Sequence, residues 1–176
     1  ASDVYKRQKY TCIDSFCGAG GLGLGLKRAG FNILLSFDID QICIDTIKAN
    51  KKYFNHPAKA ADIADMLNGE LLKKCNLQRG ELFLLAGGPP CQGFSVQRRG
   101  SDTDERNELV LKYGKLIDEL YPMYFVMENV TGIAGKRGKT ILQQLIEDVE
   151  QIGYKVHVDL LDAQDYGVPQ LSLIHI

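Results

Sequence analysis

The sequence has little of what marks a membrane, secreted or metal-binding protein. Its 176 residues contain no apolar run of the eighteen or more residues that a membrane-spanning helix needs. The three histidines, His56, His157 and His175, are scattered and form no metal-ligand pattern. Five cysteines, an odd number without zinc-like spacing, argue against a disulfide framework and for a reducing compartment. We therefore expect a cytoplasmic protein without a metal ion or a membrane contact.

The chain also lacks a charge excess of either sign. Lysine and arginine number 21 against 22 acidic residues, and the net charge is −1. A body that grips nucleic acid over its whole surface is usually basic, so any such contact must come from a local patch or from a part outside this chain. Hydrophobic residues at 45% and charged residues at 24% are ordinary for one soluble globular domain of this length.

What the chain does have is an alternation of short apolar runs and helical periods. The predicted strands are Thr11–Phe16, Ile33–Asp38, Leu82–Ala86, Tyr124–Glu128 and Lys155–Leu161. Helices are predicted by apolar residues at three- and four-residue steps over 109–120 and 141–152, and Gly30 ends a shorter helix after the first strand. This order predicts an α/β fold with an open, doubly wound, mostly parallel sheet.

The most informative segment is Gly87–Ser95, which reads Gly-Gly-Pro-Pro-Cys-Gln-Gly-Phe-Ser after an apolar strand. Two prolines end the strand and restrict the loop, so that Cys91 is held at a strand end. Lone cysteines are commonly small buried hydrophobes, and Cys12, Cys43 and Cys75 fit that interpretation. Cys91 does not, and we predict that it is a nucleophile.

A glycine turn follows the first predicted strand. Gly18, Gly20 and Gly23 have the G-x-G-x-x-G spacing of a nucleoside-cofactor turn, although such a turn can also serve only to pack a helix on a strand. Asp38, twenty residues after Gly18, is the candidate acid for ribose hydroxyls, and Asp40 is an alternative. Asp62 either receives an adenine amino group or caps a helix.

In this order, the Phe-x-Gly-x-Gly turn at 16–20, the loop Pro89–Ser95 and the tripeptide Glu128–Val130 resemble the DNA (cytosine-5) methyltransferases. The resemblance runs from about residue 10 to residue 170, where Asp165–Gln170 is similar to the start of a further motif. It implies a Rossmann-like fold that uses S-adenosyl-L-methionine to methylate carbon 5 of a cytosine flipped out of double-stranded DNA. A bacterial, nucleoid-associated, monomeric enzyme of a restriction-modification system is the expected context.

The resemblance also implies roles for individual residues. Cys91 would add to carbon 6 of the cytosine, and Glu128 would contact its ring nitrogen 3 and exocyclic amine. Cofactor contacts are implied for Phe16, Gly18, Ala19, Gly20, Gly21, Asp38, Ile39, Asp62, Ile63, Pro90 and Leu109. DNA contacts are implied for Gln92, Ser95, Arg98, Arg99 and Arg106, although neighbouring acids nearly cancel the arginines and a solvated loop is the alternative.

The chain departs from the family pattern near its end, where Ser172 and Ile174 stand at positions expected to be arginine. We expect a catalytic domain over 9–170, non-native ends over 1–8 and 171–176, an absent target-recognition region and weak activity of this chain alone. Three alternatives stay open. One is a methyltransferase that acts on transfer RNA. Another is an NAD-type nucleotide-binding module, which would leave the Pro-Pro-Cys loop without a role. The third is a non-catalytic regulator that keeps the fold and binds DNA or a partner, against which the presence of both Cys91 and Glu128 argues.

Overall fold

Five parallel strands form the centre of the molecule. The computed structural model describes residues 10–90, 107–135 and 138–168, and its strands lie in the order β3-β2-β1-β4-β5. The strands are β1 (Thr11–Ser15), β2 (Asn32–Asp38), β3 (Ala58–Ala60), β4 (Leu84–Gly87) and β5 (Tyr124–Met127). The α-helices are α1 (Gly21–Arg28), α2 (Gln41–Ala49), α3 (Glu70–Cys75), α4 (Asn107–Leu120) and α5 (Lys139–Gln151). Short 3-10 helices lie at Ile63–Met66, Thr131–Ala134 and Ala163–Tyr166.

The two central strands, β1 and β4, are covered on both faces, which explains their continuous apolar sequences. Cys12 and Ile13 of β1 are fully buried on opposite faces, and all four residues of β4 are buried. Helix α4 packs against one face through Val110, Tyr113 and Leu116. Burial of each such side chain stabilises the fold by about 1.5–3 kcal/mol, so α4 secures the sheet that carries the site. The prediction of an open parallel α/β sheet is confirmed.

Four of the predicted strands occur with bounds shifted by one to two residues, and the fifth prediction is wrong. Lys155–Leu161 is irregular rather than a strand. Val158 and Leu160 in this segment are 58% and 75% exposed, so its alternating pattern is not used to build the sheet. The fifth strand is instead Ala58–Ala60, which lies at the opposite edge and pairs with β2 from Ser36 to Asp38.

β5 is the other edge of the sheet and is covered on one face. Phe125 and Met127 pack towards α4 and α5, whereas Tyr124 and Val126 on the opposite face are 57% and 47% exposed. Within the described residues β5 pairs with β4 alone. Among the helices of these same ranges, none combines the length and apolarity that a bilayer span requires.

Candidate active site

A cavity of about 210 Å³ lies beyond the carboxyl ends of β1 and β2, where ligands of open parallel sheets bind. Seven of the predicted cofactor residues line it: Phe16, Asp38, Ile39, Asp62, Ile63, Pro90 and Leu109. Phe37, Ala61 and Gly88 complete the lining and were not predicted from the sequence. Apolar walls with carboxylates at the rim suit a nucleoside, whose base is flat and whose sugar carries hydroxyls.

Phe16 reaches the cavity through an unusual backbone conformation. Its φ is 52°, a left-handed value that costs a bulky side chain about 1 kcal/mol or more. The next residue, Cys17, donates its N–H to the carbonyl oxygen of Phe37 at 3.1 Å, which joins the turn to β2. The chain thus bends sharply where β1 ends, and the Phe16 ring becomes part of the cavity wall.

Glycine is present at different positions of the turn for different structural reasons. Gly18, at φ 50°, donates its N–H to Asp38 Oδ2 at 2.9 Å. Gly20 is needed for packing, because a Cβ there would lie 2.7 Å from the Phe54 ring. Ala19 and Gly21 are exposed, and a Cβ on Gly21 would meet no atom within 4 Å. None of these four residues lines the cavity.

The two acids at the end of β2 and just after it, Asp38 and Asp40, have separate roles. Asp38 lines the cavity, and its two carboxylate oxygens accept hydrogen bonds from Gly18 N–H and Asp40 N–H, both at 2.9 Å. Asp40 caps α2 by accepting from Ile42 N–H at 2.8 Å and does not line the cavity. Of the two candidates, Asp38 is therefore the acid that a bound nucleoside would meet.

For Asp62, the structure shows the capping interpretation and also places the residue at the cavity, while a contact with adenine stays a prediction. Its Oδ1 accepts from Ala64 N–H at 2.8 Å and caps the 3-10 helix that follows. The same residue lines the cavity beside Ala61 and Ile63. The cap uses one oxygen and fixes the carboxylate in position, which leaves the other available to a ligand.

Gly88 joins the cavity to the acid at the end of β5. It lines the cavity, and a Cβ built on it would lie 3.0 Å from Oε2 of Glu128. The exposed Glu128 carboxylate therefore lies next to the start of the Pro-Pro-Cys loop. Asn129 holds the start of this loop, because its side-chain amide donates to the carbonyl oxygen of Pro89 at 2.9 Å.

The end of β4 is held by two further side chains that sequence reasoning missed. Ser15 Oγ donates to the carbonyl oxygen of Ala86 at 3.0 Å. The hydroxyl of the fully buried Tyr113 lies 2.9 Å from the carbonyl oxygen of Val126 and 3.2 Å from that of Leu85, and can donate to either. These contacts fix the ends of β4 and β5 relative to each other. The tripeptide Glu128–Val130 was the available signal for Asn129, but nothing in the sequence marks Ser15 or Tyr113 for this position.

The four cysteines in the described ranges are poor nucleophiles. Burial raises the pKa of the Cys12 thiol to about 12 and that of Cys75 to about 11. The thiol pKa of Cys17 is also raised by burial, as is that of Cys43, with further increases from nearby carboxylates. Each thiol stays protonated near neutral pH, whereas attack needs the thiolate. Within the same ranges, no group of three His, Cys, Asp or Glu side chains could hold a metal ion.

The predicted nucleophile lies outside the described residues. Cys91 follows Pro90 directly in the sequence, and Pro90 lines the cavity. The predicted DNA-facing residues also lie outside the described ranges: Gln92, Ser95, Arg98, Arg99 and Arg106. Their roles stay predictions.

Comparison with known proteins gives a consistent result. Residues 10–171 match the family described as C-5 cytosine-specific DNA methylase. The chain is 39% identical over 163 residues to the type II methyltransferase M.XorII of Xanthomonas oryzae, covering 90% of this chain and 37% of that protein. It is 38% identical over 164 residues to M1.HphI of Haemophilus parahaemolyticus, covering 92% of this chain and 43% of the relative.

A similar solved structure is that of a proposed DNA modification methyltransferase encoded within an E. coli prophage. The TM-score is 0.66 and the sequence identity 35%, over 80% of this chain and 38% of that one. The chain thus spans less than half the length of these relatives.

Proposed function

The chain belongs to the family of C-5 cytosine-specific DNA methylases, and on that premise we propose that it forms the cofactor-binding and catalytic part of a DNA (cytosine-5) methyltransferase. The observation that carries the proposal is that three features lie together beyond the carboxyl ends of the strands. The nucleoside-sized cavity, the two prolines that precede Cys91 in the sequence and the Glu128 carboxylate all lie beside Gly88. A nucleotide-binding module alone would need the cavity but neither of the other two.

The cavity fits S-adenosylmethionine by the chemistry of its lining. Phe16 and the 71% exposed Ile39 offer apolar surface for a purine, and Asp38 offers a carboxylate for ribose hydroxyls. Asp62 would accept a hydrogen bond from the adenine amino group, while Pro90 and Leu109 close the other side. The cofactor supplies an electrophilic methyl group on its sulfonium.

The protein residues supply what cytosine lacks. Carbon 5 of cytosine is a poor nucleophile, so the Cys91 thiolate would add to carbon 6 and increase the electron density on carbon 5. Glu128 would hold ring nitrogen 3 and the exocyclic amine and stabilise the charge that develops on attack. When the proton on carbon 5 is removed after transfer, the bond between Cys91 and carbon 6 breaks and the thiolate leaves. Such an attack requires the base outside the duplex stack, as for other enzymes that act on a base.

The substrate assignment predicts a preference for duplex DNA. The full-length protein that contains this chain should transfer labelled methyl groups to double-stranded DNA and leave transfer RNA unmethylated. The two substrates need to be compared under the same salt conditions, because backbone contacts are salt-dependent. Incorporation into transfer RNA with none into DNA would replace the proposal by its RNA alternative.

The cofactor assignment predicts that replacing Asp38 lowers cofactor affinity, whereas replacing its neighbour Asp40 does not. Asp38→Asn should weaken S-adenosylhomocysteine binding at least tenfold, about 1.4 kcal/mol, because the amide cannot accept from both Gly18 and Asp40 while facing ribose hydroxyls. Asp40→Asn is the matched control, since asparagine caps a helix as well as aspartate does. Calorimetry on the full-length protein measures both affinities, with thermal unfolding as a check on the fold. Equal affinities for the two variants would refute the role of Asp38.

A further inference from the structure

Asp14 is a buried acid without a well-formed hydrogen bond. It is one of three buried polar residues in the described ranges, with Ser15 and Ser36. Ser15 donates to Ala86, and Ser36 Oγ lies 2.8 Å from Nε2 of His56. Asp14 is 0% exposed, neither of its carboxylate oxygens makes a well-formed hydrogen bond, and the donor nearby is the backbone N–H of Gly23. An unpaired carboxylate is costly inside a protein, and this one calls for an explanation.

The carboxyl group of Asp14 lies beneath the first turn of α1. A Cβ on Gly23 would be 2.6 Å from Oδ2 and 3.6 Å from Cγ of Asp14, so residue 23 must be glycine while Asp14 keeps this position. Helix α1 has no side-chain cap at its N-terminus and no acidic residue in its first turn. The backbone N–H groups of that turn have no partner inside the helix, and the helix dipole favours a negative charge there.

The surroundings of Asp14 favour its uncharged form up to neutral pH. Burial raises the pKa of the Asp14 carboxyl to about 7, the nearby Gly23 N–H partly opposes this rise, and the charge of Asp38 adds to it. Three other titratable groups lie close enough to interact with Asp14: Cys12 on the same strand, Cys17 in the turn and Tyr113 on α4. The thiol pKa values of Cys12 and Cys17 and the phenol pKa of Tyr113 are raised mainly by burial, so all three stay uncharged there.

Two further groups lie on the same side of the sheet. Burial, followed by the charge of Lys27, lowers the pKa of His56, which is therefore neutral at pH 7. The ammonium of Lys27 donates to the carbonyl oxygen of Tyr53 at 2.7 Å and to Asn55 Oδ1 at 2.6 Å. Among the groups named here, Asp14 is therefore the one with a pKa near 7.

We propose that Asp14 is a positioning residue for the glycine turn, here defined as Phe16–Gly23, and that it holds the turn in its cofactor-binding arrangement while its carboxyl is uncharged. A charged carboxylate must find donors, and the nearest are the N–H groups of the first turn of α1. Movement of that turn displaces Gly18, whose N–H is bonded to Asp38 at the cavity wall. Ionisation of Asp14 therefore reaches the cavity through one hydrogen bond.

The sign of the effect follows from proton linkage. The pKa is higher in the organised turn than the value of about 3.9 for a free aspartate, so the organised turn binds the proton more tightly. The stabilisation is fully present below about pH 4 and is lost as the pH rises through about 7. Because the cofactor binds the organised turn, its affinity falls over the same upper range. This step rests on the proposed function.

The test compares the wild-type full-length protein with its Asp14→Asn variant, which keeps the shape and cannot ionise. Amide nitrogen shifts of Gly21, Leu22 and Gly23 are followed from pH 5.5 to 8.5 without cofactor. We expect a titration with a midpoint near 7 in the wild type and none in the variant. Affinity for S-adenosylhomocysteine, measured from shifts in the same samples, should fall at least fivefold from pH 6 to 8.5 in the wild type and less than twofold in the variant. Asp45→Asn, on the exposed face of α2, is the matched control and should keep the wild-type profile.

The outcomes separate this inference from the proposed function. A wild-type full-length protein whose three amides do not titrate overturns the inference, whether or not the Asn variant folds. An affinity profile that is the same in the wild type and in Asp14→Asn overturns it as well. Titrating amides in a full-length protein that binds no S-adenosylhomocysteine at any pH would instead refute the cofactor assignment, and with it the link from Asp14 to affinity.

Discussion

Replacing Gly87 by alanine is expected to destabilise the protein by about 3 kcal/mol, because the new methyl group has no room at the end of β4. A Cβ at this position would overlap Oγ of Ser15 and lie 2.9 Å from Cε2 of Tyr113 and 3.0 Å from the backbone oxygen of Ser15. The side chains could rotate, but the backbone oxygen belongs to the paired residue of β1. Relief therefore requires separation of the two central strands.

Urea unfolding followed by circular dichroism measures this loss. Gly25→Ala is the matched control: it lies in α1, a Cβ there meets no atom within 4 Å, and alanine is the better helix former by about 1 kcal/mol. The Gly87→Ala, Ser15→Ala double variant should recover part of the loss, since it removes one of the two side-chain obstacles. A loss of unfolding free energy below 1 kcal/mol in Gly87→Ala would contradict the prediction, because it would mean that the ends of β1 and β4 can make room for a methyl group.

Replacing Cys91 by serine in the full-length protein is expected to lower methyl transfer by about 10⁴-fold or more, as removal of a catalytic nucleophile does elsewhere. The other cysteines cannot substitute for it, because their raised thiol pKa values keep them protonated. A duplex containing 5-fluorocytosine isolates the covalent step. Fluorine on carbon 5 blocks the elimination that frees the enzyme, so a working enzyme becomes attached to the DNA.

The expected result is a stable protein–DNA adduct for the wild type and none for Cys91→Ser on a denaturing gel. Cys43→Ser serves as the control, since Cys43 is a partly exposed thiol on α2 that lies away from the Pro-Pro-Cys loop in sequence. Peptide mapping of the adduct should identify Cys91. Equal trapping by Cys91→Ser would show that another group attacks the base.

The strands of the sheet that could be predicted from the sequence are those whose own residues form a clear apolar run. The apolar runs of β1, β2, β4 and β5 require burial on both faces or against a helix, whatever follows them in the chain. β3 has no such signal, because Ala-Lys-Ala favours no strand by itself. β3 forms because the backbone groups along the edge of β2 are available for pairing. The Ser36 N–H already donates to the carbonyl oxygen of Pro57, the residue directly before β3.

The reverse holds for Lys155–Leu161. Val156, Val158 and Leu160 alternate as in a half-buried strand, yet strand formation also needs a neighbour with unpaired backbone groups. Within the described ranges this segment has no ladder partner, and much of its apolar surface is exposed. The side-chain pattern of a segment shows which of its faces is apolar. Whether a neighbouring strand is available to pair with the segment depends on the rest of the fold.

The candidate site shows the same division. Phe16 and Asp38 could be assigned to the ends of β1 and β2 because strand ends of a parallel sheet meet at one edge. The choice between Asp38 and Asp40 could not be made from the sequence, since it depends on which carboxylate the turn after β2 directs towards the cavity. Ser15 and Tyr113 were invisible for a related reason: their importance comes from Gly87 and Val126, which are distant in sequence.

The open side of β5 has a practical consequence for work with this chain. Tyr124 and Val126 are half exposed on a strand whose described pairing is with β4 alone. An edge strand with apolar side chains and free backbone groups is a template for adding a strand from another molecule. We therefore expect concentrated samples of the isolated chain to self-associate through this edge, which light scattering against concentration would measure. A lysine in place of Val126 would be the simplest means of improving solubility without touching the cavity residues.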